Sequence, residues 1–290
     1  MELPDAIARQ VAAITGAKVT GSRPVDGGYT VALRWIVQME NGTSAFVKYA
    51  TDDDTAGWLR DELRAYRAIS ADFMPKLYGA GSATYPLMIL EDLSAAEWSW
   101  GWSEENVQRV LHLLERVRET PVPADLPSLT EMSPDLRGWR EIQDDPRPFL
   151  DLGLTSAAWL ERCLPALVQA EANVRLEGDA LVHLDMRSDN LCFSRDRTYL
   201  VDWNWARRGN PQFDLIAWLP SLHAEGGPAP WDITLDEPEL ISAIAGFYAV
   251  RAPKPPHKQG PAIRQMQLRF VRSALPWAAR ALGLPHPEQG

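Results

Sequence analysis

The sequence predicts an α+β chain in two parts, an antiparallel-sheet lobe over residues 1–92 and a mainly helical lobe over residues 93–290. Three observations carry that expectation. Alternation of apolar residues around the turn Met39-Glu40-Asn41-Gly42 marks a hairpin, since Asn-Gly is the strongest short hairpin signal. After Glu91 the pattern changes to helical spacing, as in the stripe Val107, Val110, Leu111, Leu114 and Val117. The 290 residues, 46% of them hydrophobic, suffice for one large domain or two lobes.

The elements follow in order. Residues 4–15 read as an amphipathic helix with Ile7, Val11 and Ile14 on one face and Gly16 as its stop. Strands are expected over Tyr29–Gln38 and Ser44–Tyr49, a helix over Thr55–Ile69, and strands over Lys76–Gly81 and Leu87–Leu90. Ser103 caps a helix reaching Glu119. Pro121–Pro148, rich in proline and acids, reads as a long connection with short helical pieces. A helix over Ser156–Val174 precedes short strands at 181–184, 191–194 and 198–201. Helices near 213–223, 237–250 and 260–282 complete the chain, the second opening on a capping-box-like Asp236-Glu237-Pro238-Glu239. The boundary between the lobes falls near Glu91–Ala96.

Composition removes several classes of function. No run of about 18 apolar residues is present to span a membrane, and the N-terminus lacks the basic-then-apolar plan of a secretory signal. Cys163 and Cys192 have no CxxC or metal-ligand neighbourhood, which points to reduced thiols and a cytoplasmic location. A net charge of −10 disfavours nucleic acid, whose phosphates need clustered Lys and Arg, and is compatible with a cationic small-molecule partner.

The segment that carries chemistry is His183-Leu184-Asp185-Met186-Arg187-Ser188-Asp189-Asn190, followed by Leu200-Val201-Asp202-Trp203. It reads HxDxxxxN, then an apolar strand, then an aspartate. Phosphoryl transfer from ATP needs these residue types. Mg²⁺ travels with ATP and takes hard oxygen ligands, which a carboxylate and an amide oxygen supply. The attacking hydroxyl must be oriented and lose its proton, which a second carboxylate accepts.

On these residues the chain resembles the aminoglycoside phosphotransferase and choline kinase group, relatives of the protein kinases. The resemblance runs from about residue 20 to 280 and is sharpest at 181–218, with a second matching stretch at 44–67. It implies a bilobal protein-kinase-like fold and an ATP- and Mg²⁺-dependent kinase that phosphorylates a hydroxyl of a small molecule. Asp185 then corresponds to the catalytic base, and Asn190 and Asp202 to the Mg²⁺ ligands. Arg187 stands where protein kinases carry a lysine facing the γ-phosphate; it either neutralises charge there or makes a surface salt bridge. Lys48, on the strand Ala45-Phe46-Val47-Lys48-Tyr49, matches the phosphate-holding lysine, with Glu62 as its helix partner and Asp61 as the nearest competitor. The backbone of Glu91 and Leu93 matches the adenine-contacting hinge.

Within the resemblance His183 is a loop brace, Asp189 a solvated carboxylate, and Asp214 a cap and loop brace. The chain also departs from the pattern. Gly27 and Gly28, in Val25-Asp26-Gly27-Gly28-Tyr29-Thr30, stand in for a GxGxxG loop and either approach the phosphates or form a plain turn. Leu184 occupies a position where aminoglycoside kinases commonly have glycine, and Asn204 one that is more often acidic. Trp98, Trp100 and Trp102 either line a substrate mouth or pack. The acids Glu225, Asp232, Asp236, Glu237 and Glu239 either meet a cationic substrate or are solvated.

Substrate classes divide into antibiotics, the leading class by resemblance, and primary metabolites such as choline or an aminosugar. A protein kinase fits poorly, because only eleven residues separate Asp202 from Asp214 and no APE motif follows. A non-catalytic nucleotide-binding scaffold would lack one of Lys48, Asp185, Asn190 or Asp202, all of which are present.

Overall fold

In the computed structural model the described residues are 2–25, 31–81, 84–98, 100–256, 260 and 262–287. The N-terminal elements are α1 (Asp5–Thr15), β1 (Val19–Pro24), β2 (Leu33–Met39), β3 (Ser44–Tyr49), α2 (Asp53–Ala68), β4 (Leu77–Gly81) and β5 (Leu87–Glu91). They are followed by α3 (Glu104–Glu119), α4 (Gly138–Asp144), α5 (Arg147–Leu150), α6 (Ala157–Ala172) and the strands β6 (Ala180–Val182), β7 (Leu191–Phe193), β8 (Thr198–Leu200) and β9 (Arg207–Gly209). The chain closes with α7 (Phe213–Ala224), α8 (Pro230–Ile233), α9 (Pro238–Arg251) and α10 (Ile263–Ala281).

These elements group into two compact units. One combines Met1–Trp100 with Asp189–Ala206, and the other Gly101–Ser188 with Arg207–Gly290. The hairpin segment 189–206 thus groups with the N-terminal unit rather than with the helices that flank it in sequence.

The first unit is built on a five-stranded antiparallel sheet in the order β1-β2-β3-β5-β4. Side chains alternate across a strand, and the register aligns Trp35, Val47 and Ile89 on one face. With Ile7 and Val11 of α1 they form a buried core. Gly42, at φ 81°, turns the β2–β3 hairpin, with its N–H donating to the Met39 carbonyl. α2 starts on a capping box: the Asp52 carboxylate accepts from Thr55 N–H at 2.8 Å, and the Thr55 hydroxyl accepts from Asp52 N–H at 3.1 Å. β1 goes unannounced by the sequence pattern, because Thr20, Gly21, Ser22, Arg23 and Pro24 present no apolar alternation.

The second unit surrounds α9, whose residues from Leu240 to Val250 are buried on nearly every side, as a helix apolar all round must be. α10, α6 and α4 pack against it. The α4–α9 crossing is close: a methyl group on Gly138 would overlap the Gly246 carbonyl. Glu171 of α6 caps α4 from a distance, accepting the N–H groups of Trp139 at 2.7 Å and Arg140 at 3.0 Å. Burial pushes its carboxyl up to about 7, against those hydrogen bonds.

Three sequence expectations change. In α3 the buried stripe includes Leu113 rather than Leu111, because Leu111 lies about 100° round the helix from Val110. α9 opens without a side-chain cap; Glu237 precedes Pro238 in a left-handed conformation (φ 61°) instead. β9 is a strand that no local pattern announces; it pairs with β6, far away in sequence. Among the described residues no helix is long and apolar enough to cross a membrane.

Candidate active site

In the first unit, Lys48 lies on β3 opposite Arg34 of β2 and Met88 of β5, on the sheet face away from the Trp35–Val47–Ile89 core. Its Nζ donates to Glu62 Oε2 at 2.6 Å and to Asp202 Oδ1 at 2.8 Å. Glu62, not Asp61, faces the lysine; Asp61 pairs with Arg64 on the same helix at 3.0 Å. Helical spacing turns Glu62 inward with Leu59, Leu63 and Tyr66, so only 2% of it is exposed.

Two carboxylates around one ammonium set the electrostatics. Burial pulls Lys48 down, but Asp202 and then Glu62 outweigh it and hold its pKa above the ordinary lysine value. Burial pushes Glu62 up to about 7; Lys48 works against this and Asp202 adds to it.

Asp202 is placed by the β7–β8 hairpin. Val201 N–H donates to the Asn190 carbonyl at 3.0 Å, which brings the backbone of Asn190 beside the strand end that carries Asp202. Leu200 N–H donates to the Phe73 carbonyl, and Trp203 stacks on Phe73 with centroids 5.8 Å apart. Asp202 itself is left-handed at φ 68°, a conformation Asp adopts more readily than most residues. An amide oxygen and a carboxylate are hard donors. Among the described residues no cluster of three or more His, Cys, Asp and Glu can hold a metal by itself. The carboxylate of Asp202 and the amide of Asn190 are donor types that fit Mg²⁺, which binds through one or two protein oxygens plus phosphates and water, rather than Zn²⁺.

In the second unit the HxD loop is braced from below. His183 is wholly buried, and its Nδ1 accepts Asp185 N–H at 3.2 Å. Asp214, in the first turn of α7, accepts His183 N–H at 2.7 Å through Oδ2 and Leu184 N–H at 2.8 Å through Oδ1. It therefore ties down the loop and leaves its own helix uncapped. Burial pushes its carboxyl up to about 6, the two N–H groups pulling the other way. Leu184 adopts φ 70°, the left-handed region that costs a β-carbon-bearing residue about 1–2 kcal/mol. Glycine, which has no β-carbon, would adopt this conformation without that cost. Arg187 Nη1 pairs with Asp185 Oδ1 at 2.9 Å. Tyr248 of α9 is pushed up by burial and then by Asp185.

A model of the phosphotransferase enzyme family matches residues 22–252, most of the chain. The chain belongs to that family. Comparison with curated protein sequences returns no match. Among solved structures, a spectinomycin phosphotransferase in complex with ADP and spectinomycin is similar at TM-score 0.62 and 11% identity, over 95% of this chain and 97% of the other. A choline/ethanolamine kinase family protein from Mesorhizobium loti gives 0.58 and 16%, over 96% and 97%. An amicoumacin kinase in complex with AMP-PNP, Ca²⁺ and Ami gives 0.50 and 14%, over 94% and 93%. These likenesses establish the protein-kinase-like fold, and membership of the family makes the chain a phosphotransferase acting on hydroxyl groups.

The remaining sequence candidates in this phosphotransferase fall as follows. Glu91 N–H donates to the Lys76 carbonyl, and the Leu93 carbonyl accepts from Ala96 N–H and Trp98 Nε1, each at 2.9 Å. Gly27 and Gly28 lie outside the described residues. Trp100 packs on Phe193 at 4.5 Å and Trp102 on Trp218 at 5.4 Å, with Trp102 Nε1 donating to Glu225. Asp189 is exposed. Two neighbours of the Lys48 cluster escape sequence reasoning. Arg34 is visible only through strand register, and Tyr66 only through its spacing of four from Glu62, a signal that requires Glu62 to be chosen first.

Proposed function

We propose that the chain transfers the γ-phosphoryl group of ATP to a hydroxyl of a small molecule, in line and without a phosphoenzyme. The observation that carries this reading is the Lys48 ammonium shared between Glu62 and Asp202, in a chain of the phosphotransferase family. Glu62 holds Lys48 extended so that its charge meets the α- and β-phosphates. Asn190 and Asp202 are the residues that hold Mg²⁺, which neutralises phosphate charge when bound. The backbone of Glu91 and Leu93 receives the adenine. Asp185 orients the acceptor hydroxyl and takes its proton. Arg187, paired with Asp185, aims that carboxylate and supplies positive charge to the transferring group.

The acceptor class to test first is an antibiotic, with primary-metabolite alcohols second. The decisive experiment measures ATP consumption across a panel of antibiotics, amines and sugars for wild type, Asp185→Ala and Asp202→Ala. Turnover that needs Mg²⁺ and disappears in both variants is expected, with nucleotide affinity kept in Asp185→Ala. If Asp185→Ala turns over like wild type, the assignment of the base is wrong. Expression in a sensitive bacterium, read as inhibitory concentrations across antibiotic classes, separates the two acceptor classes; no protection from any class points to a metabolite.

A further inference from the structure

Tyr66 sits on α2 four residues after Glu62, so the two side chains share a helix face. A helical aromatic side chain leans back toward the N-terminus, which carries the Tyr66 ring over the turn that holds Glu62. The residue is 7% exposed, and its hydroxyl is buried with no hydrogen-bond partner among the described residues. α2 also packs against the turn at 203–205 that follows Asp202. Burial first, then the Glu62 and Asp202 carboxylates, push its phenol well above the ordinary value, which puts both carboxylates within electrostatic reach.

A buried hydroxyl without a partner destabilises a fold, and such groups call for an explanation. Lys48 supplies one here, since its ammonium is committed to Glu62 and Asp202 at 2.6 and 2.8 Å. When that ammonium is shared with phosphates, Glu62 loses part of its donor in a place water barely reaches. We propose that Tyr66 is a positioning residue of the phosphate-holding site, its hydroxyl a reserve donor that Glu62 takes up when Lys48 turns to the nucleotide. The inference rests on the phosphotransfer reading above. It makes Tyr66 a residue that weakens the nucleotide-free protein and strengthens the nucleotide-bound one.

Tyr66→Phe removes one atom and keeps the ring, so it separates the two effects. Melting temperature without nucleotide, and the Kd of AMP-PNP with and without Mg²⁺, are measured for wild type, Tyr66→Phe and Asp202→Asn. In Tyr66→Phe the melting temperature is expected to hold or rise by about 2 °C, while Kd for AMP-PNP with Mg²⁺ weakens about 3- to 10-fold. A higher melting temperature with unchanged Kd makes the hydroxyl idle and overturns the inference. A sharp fall in melting temperature also overturns it, by showing that the hydroxyl is bonded before nucleotide arrives. In either case, loss of Mg²⁺-dependent binding in Asp202→Asn leaves the phosphotransfer reading standing. A wild-type protein that binds no AMP-PNP under either condition overturns both.

Discussion

Replacing Asp214 with alanine tests how the HxD loop is held. The carboxylate accepts two backbone N–H groups at 2.7 and 2.8 Å and is 5% exposed. Each hydrogen bond to a charged acceptor is worth about 1.5–3 kcal/mol, and the variant leaves both donors without that acceptor. Against this, burying the carboxylate is costly, as its rise to about 6 records, and removing it returns roughly 1–3 kcal/mol. Leu184 also relaxes from φ 70°, recovering about 1 kcal/mol. The net expectation is a loss of about 2 kcal/mol, or roughly 4 °C for a chain of this size.

The functional consequence is larger than the stability change. Asp185, the proposed base, follows directly on the released Leu184, and a displacement of about 1 Å can reduce turnover some 100-fold. Nucleotide affinity should change less than about twofold, because Asp214 bonds the backbone of His183 and Leu184, whereas Lys48 and Asp202 pair with each other. Asp214→Asn retains one acceptor oxygen and should fall between wild type and alanine. Denaturant unfolding, nucleotide titration and steady-state kinetics read the three quantities. The reasoning fails if Asp214→Ala is as stable as wild type, or if nucleotide binding and turnover fall together.

Three other perturbations follow from the structure. Lys48→Met leaves Glu62 buried near Asp202 without its paired ammonium, so it should destabilise by about 3 kcal/mol; the double variant Lys48→Met/Glu62→Leu should recover most of that stability without recovering nucleotide binding, as unfolding and titration would show. Gly138→Ala drives a methyl into the Gly246 carbonyl at the α4–α9 crossing and should cost about 3 kcal/mol, measured by thermal unfolding. Glu171 and Asp214 have folded pKa values of about 7 and about 6, above their ordinary 4.5 and 3.8. The folded protein therefore binds protons that the unfolded chain releases, and the ionisation penalty, complete above about pH 7, is lifted as pH falls toward 4.5. Unfolding free energy should be higher at pH 6 than at pH 8, and Glu171→Gln should flatten that slope; lower stability at pH 6 would contradict the assignment.

Local signals make much of the chain legible from residue order alone. The Asn41-Gly42 turn, the cap Ser103 and the stop at Gly16 act within a few residues of themselves, so their chemistry is written beside the element they shape. The residues 183–190 are equally compact, and the strand before Asp202 is short, which is why the motif reads as one. Glu62 is favoured over Asp61 by its match to the family's helix partner, and the fold turns that position toward Lys48.

What lies beyond the sequence depends on partners remote along the chain. β1 carries no apolar alternation and is a strand because β2 offers it backbone groups; β9 exists because β6 lies alongside. Glu171 looks like any helix glutamate until α4 presents two N–H groups to it. The left-handed Leu184 and the buried Tyr66 hydroxyl run against local preference and persist through the packing around them. Short-range propensity thus determined most of the element types, and the resemblance carried by the motifs at 183–190 and 200–203 indicated the class of chemistry. Only tertiary contact decided which buried groups are paired, strained or left waiting, because those energies arise between segments that the linear order keeps apart.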